Sequence, residues 1–145
     1  MRLVLGSDHA GFQLRGLLAS WAKQHGHEVV EVGAQDENPY DYPDAADLAI
    51  KPLLQGEFDK GILVCGSGGG VCIRANRYIG VRAILCYNVE QAWLARQHDH
   101  ANVLCLGQRL TSSQNAIQIL DTFLKTPEDL DERHCRRVQK LDQPL

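Results

Sequence analysis

Several short stretches of this chain carry residue types that move protons or hold anions: Asp8-His9, Cys65 followed by Gly66-Ser67-Gly68-Gly69-Gly70, His98-Asp99-His100, Arg109, and the basic run Arg133 to Arg137. In LVCGSGGGV, an apolar run enters a cluster of glycines, and consecutive backbone N–H groups at such a turn can aim at one oxyanion. The spacing is G-x-G-x-G, with Val71 where a dinucleotide fingerprint needs its third glycine, and G-x-x-x-x-G-K-[ST] is absent. An NAD or nucleoside-triphosphate site is therefore not expected.

Cys65 stands where that strand meets the glycines and the start of a helix, a place that stabilises a thiolate able to serve as nucleophile or base. A buried cysteine closing a hydrophobic strand is the competing reading. Asp8-His9 fits either catalysis or a plain helix cap. His98 with His100, and His25 with His27, are H-x-H pairs with no third ligand at a metal spacing, which makes them ordinary surface residues and leaves no metal expected. On a helix, Arg133 and Arg137 share a face and could grip one phosphate, although Glu128, Asp129, Asp131 and Glu132 could equally balance a solvated basic face.

The positions of these residues follow from the elements between them. Apolar runs at Leu3–Gly6, Val29–Val32, Ile62–Val64, Val81–Cys86 and Val103–Leu106 predict five buried strands. Helical stripes alternate with them: Phe12, Leu14, Leu17, Leu18 and Trp21; then Ala45, Leu48, Ala49 and Leu53; then Ala92, Leu94 and Ala95; then Ile117, Leu120, Phe123 and Leu124. A further, apolar-poor helix is expected over Asp129–Leu141. Alternating strands and helices predict a parallel sheet covered on both faces. Ligands of such sheets sit beyond the carboxyl ends of the strands, where Asp8-His9, the Cys65 loop and Arg109 all fall.

With 145 residues, 44% of them hydrophobic and 23% charged, the chain matches one globular domain spanning 1–145. A net charge of −3 gives no general attraction to nucleic acid or anionic membranes, so a small anion must be held by a local cluster. No stretch is apolar enough for a membrane span, and Ser7, Asp8 and His9 interrupt the start too early for a signal peptide, so a cytoplasmic protein is expected. Five cysteines without a C-x-x-C pair argue against a disulfide framework.

Taken in order, GSDHAGF at 6–12, DYPDAA at 41–46, ILVCGSGGGV at 62–71, IRANR at 73–77, GVRA at 80–83, RQHDHANVLCLGQR at 96–109 and RHCRRV at 133–138 resemble the type B ribose-5-phosphate isomerases and the related galactose-6-phosphate isomerases over nearly the whole chain. The resemblance implies a three-layer α/β/α Rossmann-like fold on a five-stranded parallel sheet, with a C-terminal helix packing on a partner subunit in a homodimer or a dimer of dimers. It implies no cofactor. It also implies that Cys65 shifts a proton between C1 and C2 of an open-chain sugar phosphate, and that His98 protonates the ring oxygen during ring opening. Asp8, a third catalytic residue, and His9 would contact the sugar and its ring-opening machinery, and Tyr42 of the DYPDAA motif would contact the sugar. The amides of Gly66, Gly68, Gly69 and Gly70, with Ser67, would hold the enediolate, and Arg109, Arg133 and Arg137 the phosphate.

A second branch of that family places a glutamate where this chain has Val71, which cannot accept a proton, so the cysteine branch is the consistent one. Asp99 stands where asparagine is usual and would lie near the substrate, which opens the choice between a five-carbon sugar and a six-carbon phosphate such as allose or galactose 6-phosphate. A non-catalytic sugar-phosphate-binding module and a flavodoxin-like nucleotide protein are the readings from other classes.

Overall fold

Why the sheet forms is visible in the alternation of its central strands. In the computed structural model, which describes residues 1–145, β1 (Arg2–Ser7), β3 (Lys60–Cys65) and β5 (Val103–Gly107) are almost wholly buried, and each sends alternate residues to opposite faces. Leu3, Leu5, Ile62, Val64, Leu104 and Leu106 enter one core, with Leu14 and Leu18 of α1 (Phe12–Gln24) and Ile119, Leu120 and Phe123 of α5 (Ser113–Lys125). Val4, Leu63, Cys65, Val103 and Cys105 enter the other, with Ala46, Ala49 and Ile50 of α2 (Tyr42–Leu54) and Val71 of α3 (Gly69–Ala75).

β2 (Glu28–Gly33) and β4 (Ala83–Leu85) complete a parallel sheet in the order β2-β1-β3-β5-β4. α4 (Val89–Gln97) joins β4 to β5, and α6 (Glu132–Leu141) closes the chain. No helix is long and apolar enough to cross a membrane. The strand order reverses between β1 and β3, so the crevice expected of such sheets opens where Ser7 and Cys65 end.

The edges depart from the expected pattern. β2 and β4 are only partly covered, and Val30 is exposed, because an edge strand lacks a neighbour on one side. β4 is shorter than the apolar run Val81–Cys86 suggests. The backbone N–H of Ala83 donates to Asn76 Oδ1 (2.9 Å), and Asn76 Nδ2 donates to Ala83 O (2.8 Å), so one side chain occupies the bonds another strand would make. Leu17, Leu48 and Leu94 lie at the exposed rim of their helical stripes. α6 starts at Glu132 rather than 129, since the Asp131 side chain accepts the N–H of Arg133 and caps it there.

Candidate active site

The loop after β3 curls back on its own cysteine. Gly68 has φ of 78°, a left-handed conformation that a Cβ would strain, and a side chain there would meet Leu85 Cδ1 at 2.5 Å. That turn points the Gly68 N–H at Cys65 Sγ, 3.1 Å away, and Gly69 N–H at Ser67 Oγ, 3.3 Å away. The other buried cysteines are placed differently: burial pushes the Cys86 thiol up to about 12 and the Cys105 thiol well above its ordinary range. Cys72 is held below its ordinary value, first by a hydrogen bond from Cys105.

Cys65 is 4% exposed, yet it lines a cleft of about 370 Å³ together with Asp8, His9, Ala10, Tyr42, Gly66, Ser67, Gly70 and Arg109. Cys65 thus belongs to the α2/α3 core and also lines the cleft. The walls come from three strand ends and one helix start. Asp8 follows β1, and its Oδ1 accepts the N–H of Gly11 (2.9 Å), so it does secure the entry to α1 while lining the cleft. His9 Nδ1 lies 3.1 Å from the Tyr40 N–H and 3.3 Å from the Tyr40 carbonyl oxygen, so the main chain of Tyr40 holds the ring. Tyr42, in the first turn of α2, lies so close over the loop that a Cβ on Gly70 would meet its ring at 2.7 Å. Arg109 is tied in by its own N–H, which donates to Gly66 O (3.0 Å), and Gln108 N–H donates to Cys65 O (2.9 Å).

Four of the expected site residues lie elsewhere. His98 ends α4 and stacks on His134. Asp99 lines a separate cleft of about 350 Å³ with Asn76, Arg82 and Leu141, at the β4 edge. Arg133 is exposed, with Nε 3.4 Å from Asp131, and Arg137 is exposed on the same helix. His100, by contrast, is structural: its φ is 48°, it is buried, and its Nε2 donates to Asp129 O at 2.8 Å. Two contributors escaped the sequence reading, the main chain of Tyr40 and the ring of His134. The first leaves no signature in side-chain types, while the second sat unassigned inside the basic run.

This arrangement has close counterparts. Residues 3–141 match the family described as Ribose/Galactose Isomerase. A probable ribose-5-phosphate isomerase B of Mycoplasma genitalium is 42% identical over 142 residues, covering 96% of this chain and 92% of that one. Among solved structures, a ribose-5-phosphate isomerase B of Clostridium thermocellum superposes with a TM-score of 0.95 at 39% identity, covering 98% of this chain and 95% of that one. A ribose 5-phosphate isomerase of Thermotoga maritima gives 0.94 at 44%, covering 97% of each. A parallel sheet that opens at the β1/β3 reversal onto a cysteine, and a match that runs nearly end to end, make this chain a member of the ribose/galactose isomerase family.

Proposed function

We infer that this chain interconverts D-ribose 5-phosphate and D-ribulose 5-phosphate through a cis-enediolate. The observation that carries the reading is Cys65 Sγ, held by the Gly68 amide at 3.1 Å and opening into a cleft of polar groups at the strand ends. Aldose–ketose interconversion needs one base, an acid–base group for ring opening and fixed donors for a developing oxyanion. In the open-chain sugar, the Cys65 thiolate takes the proton from C2, and the electron pair forms the C1–C2 double bond of the enediolate. O1 gains a proton and O2 gives one up. The thiol then returns its proton to C1, which leaves the ketose and the thiolate. Ser67 and the amides of Gly66 and Gly70 hold the enediolate oxygens, the Gly68 and Gly69 amides being spent on Cys65 and Ser67, with Asp8, His9 and Tyr42 around the sugar and Arg109 toward the phosphate.

His98, Asp99, Arg133 and Arg137 complete this site from a second copy of the chain. They lie off the Cys65 cleft, and α6 buries little besides His134 and Val138 against its own chain. The working unit is therefore a homodimer in which His98 delivers the proton to the ring oxygen, Arg133 and Arg137 close on the phosphate, and Asp99 faces the sugar hydroxyls. A phosphate gripped far from the reacting carbons turns binding energy into orientation. The enzyme works in the cytoplasm.

The deciding experiment is an isomerisation assay over five- and six-carbon aldose phosphates in deuterated solvent. Ribose 5-phosphate is expected to turn over fastest, with solvent deuterium entering at the carbon that receives the proton. Faster turnover of allose or galactose 6-phosphate would reassign the sugar, and binding without turnover or exchange would leave only a sugar-phosphate-binding module.

A further inference from the structure

Outside the cleft, the most closely organised group of chemically able side chains surrounds His98. Its ring lies against that of His134, with centroids 4.5 Å apart and planes within 14°, and the Trp93 ring meets it edge-on at 6.0 Å. Its own N–H donates to Leu94 O (2.8 Å), so its backbone belongs to the end of α4. His134 is 5% exposed, in the first turns of α6. Asp129 Oδ2 lies 3.6 Å from His134 Nε2, within ion-pair reach. Asp129 is in turn fixed by its main chain, whose N–H donates to Gln97 O (3.1 Å) and whose carbonyl accepts from His100 Nε2 (2.8 Å). These contacts form a closed circuit that starts beside His98 at Gln97, runs through Asp129 to His134, and returns to the face of the His98 ring.

A lone imidazole at the end of a helix can turn about its side-chain torsions, whereas one pressed flat against a buried ring keeps a single plane. We propose that His134 is the positioning residue for His98: it sets the plane in which that imidazole meets the sugar ring oxygen. This rests on the reading above that His98 acts in ring opening.

The test uses His134→Ala and His134→Phe in the full-length chain, with ribose 5-phosphate kinetics and the proton NMR shifts of the His98 ring. Phenylalanine keeps a flat ring but cannot pair with Asp129, whereas alanine leaves the His98 face bare. Misplacing a reacting group by about 1 Å costs up to roughly 100-fold. His134→Ala is expected to lower kcat by about 10- to 100-fold with KM nearly unchanged, and to remove the upfield ring-current shift of His98. His134→Phe should restore both. A residue that merely docks α6 would loosen the arginines and raise KM instead. An unchanged kcat in His134→Ala, or a His134→Phe variant as slow as alanine despite a wild-type His98 shift, overturns the proposal. A wild-type chain inactive on every sugar phosphate would overturn the isomerase reading instead, and the stack would then be decided by the ring shifts alone.

Discussion

The cleft at Cys65 and the patch formed by α4 and α6 carry chemistry of the same kind but are built in opposite ways. Around Cys65, every group except Tyr42, which starts α2, hangs from the end of a buried central strand or from a loop with committed amides: Gly68 to the sulfur, Gln108 to Cys65 O, Arg109 to Gly66 O. The α4/α6 patch presents arginines and an aspartate to solvent, and of its histidine stack His134 is buried while His98 is half-buried. On the proposed mechanism, the proton-moving sulfur is placed by the fold of one chain, and the groups assigned to ring opening and phosphate binding would meet it from another surface. Removing the sulfur should break the first region and spare binding. Cys65→Ala is expected to reduce turnover by roughly 1,000-fold or more, in the range of a lost general base, while calorimetry still detects ribose 5-phosphate. Activity near wild type would remove Cys65 as the base.

The division between regions can be tested directly by mixing. If Cys65 and His98 serve one site from two copies, chains carrying Cys65→Ala and His98→Ala, each inactive alone, should regain activity when refolded together. Random reassortment makes half the dimers hybrid, each with one intact site, so about a quarter of wild-type activity is expected. A mixture that stays as inactive as its components would mean that both residues act within the same chain.

What was legible in the sequence follows the same divide. The central strands announced themselves because burial on both faces demands unbroken apolar runs, and the cleft residues could be found because they immediately follow those runs. The edges were harder to read. Val81–Cys86 is apolar along its length, but only Ala83–Leu85 joins the sheet, and Asn76 takes the outward bonds of Ala83 through a side chain no periodicity reveals. His134 lay within a charged run whose composition suggests a solvated face, and only the tertiary structure shows its ring pressed against His98. The assignments of His98 and Arg137 came from resemblance to a family, because neither residue follows a strand and neither lines the cleft of its own chain.

The smallest expected effect concerns the clamp between the two helices that flank the cleft. Arg74 of α3 makes paired 2.7 Å hydrogen bonds to Asp47 of α2, and the Tyr78 hydroxyl donates to the same carboxylate at 2.7 Å. The Arg74 hydrogen bond holds the Asp47 carboxyl below its ordinary range, partial burial opposes that, and Tyr78 adds to it. A carboxylate depressed in the folded state stabilises the protein above the ordinary carboxylate range, and that contribution is lost as pH falls through the folded value. Because Arg74 is 42% exposed, solvent screens the pair and its contribution is modest. Asp47→Asn should therefore lower the melting temperature by no more than a few degrees at neutral pH, and the gap from wild type should narrow as both are melted at pH values falling below the ordinary carboxylate range. If strand ends and loop amides place the catalytic groups, kcat should stay within about twofold of wild type in this variant, because the clamp joins helix surfaces and touches none of those bonds. A large fall in kcat would show that the α2–α3 clamp, rather than the strand ends, holds Tyr42 and the glycine loop in register.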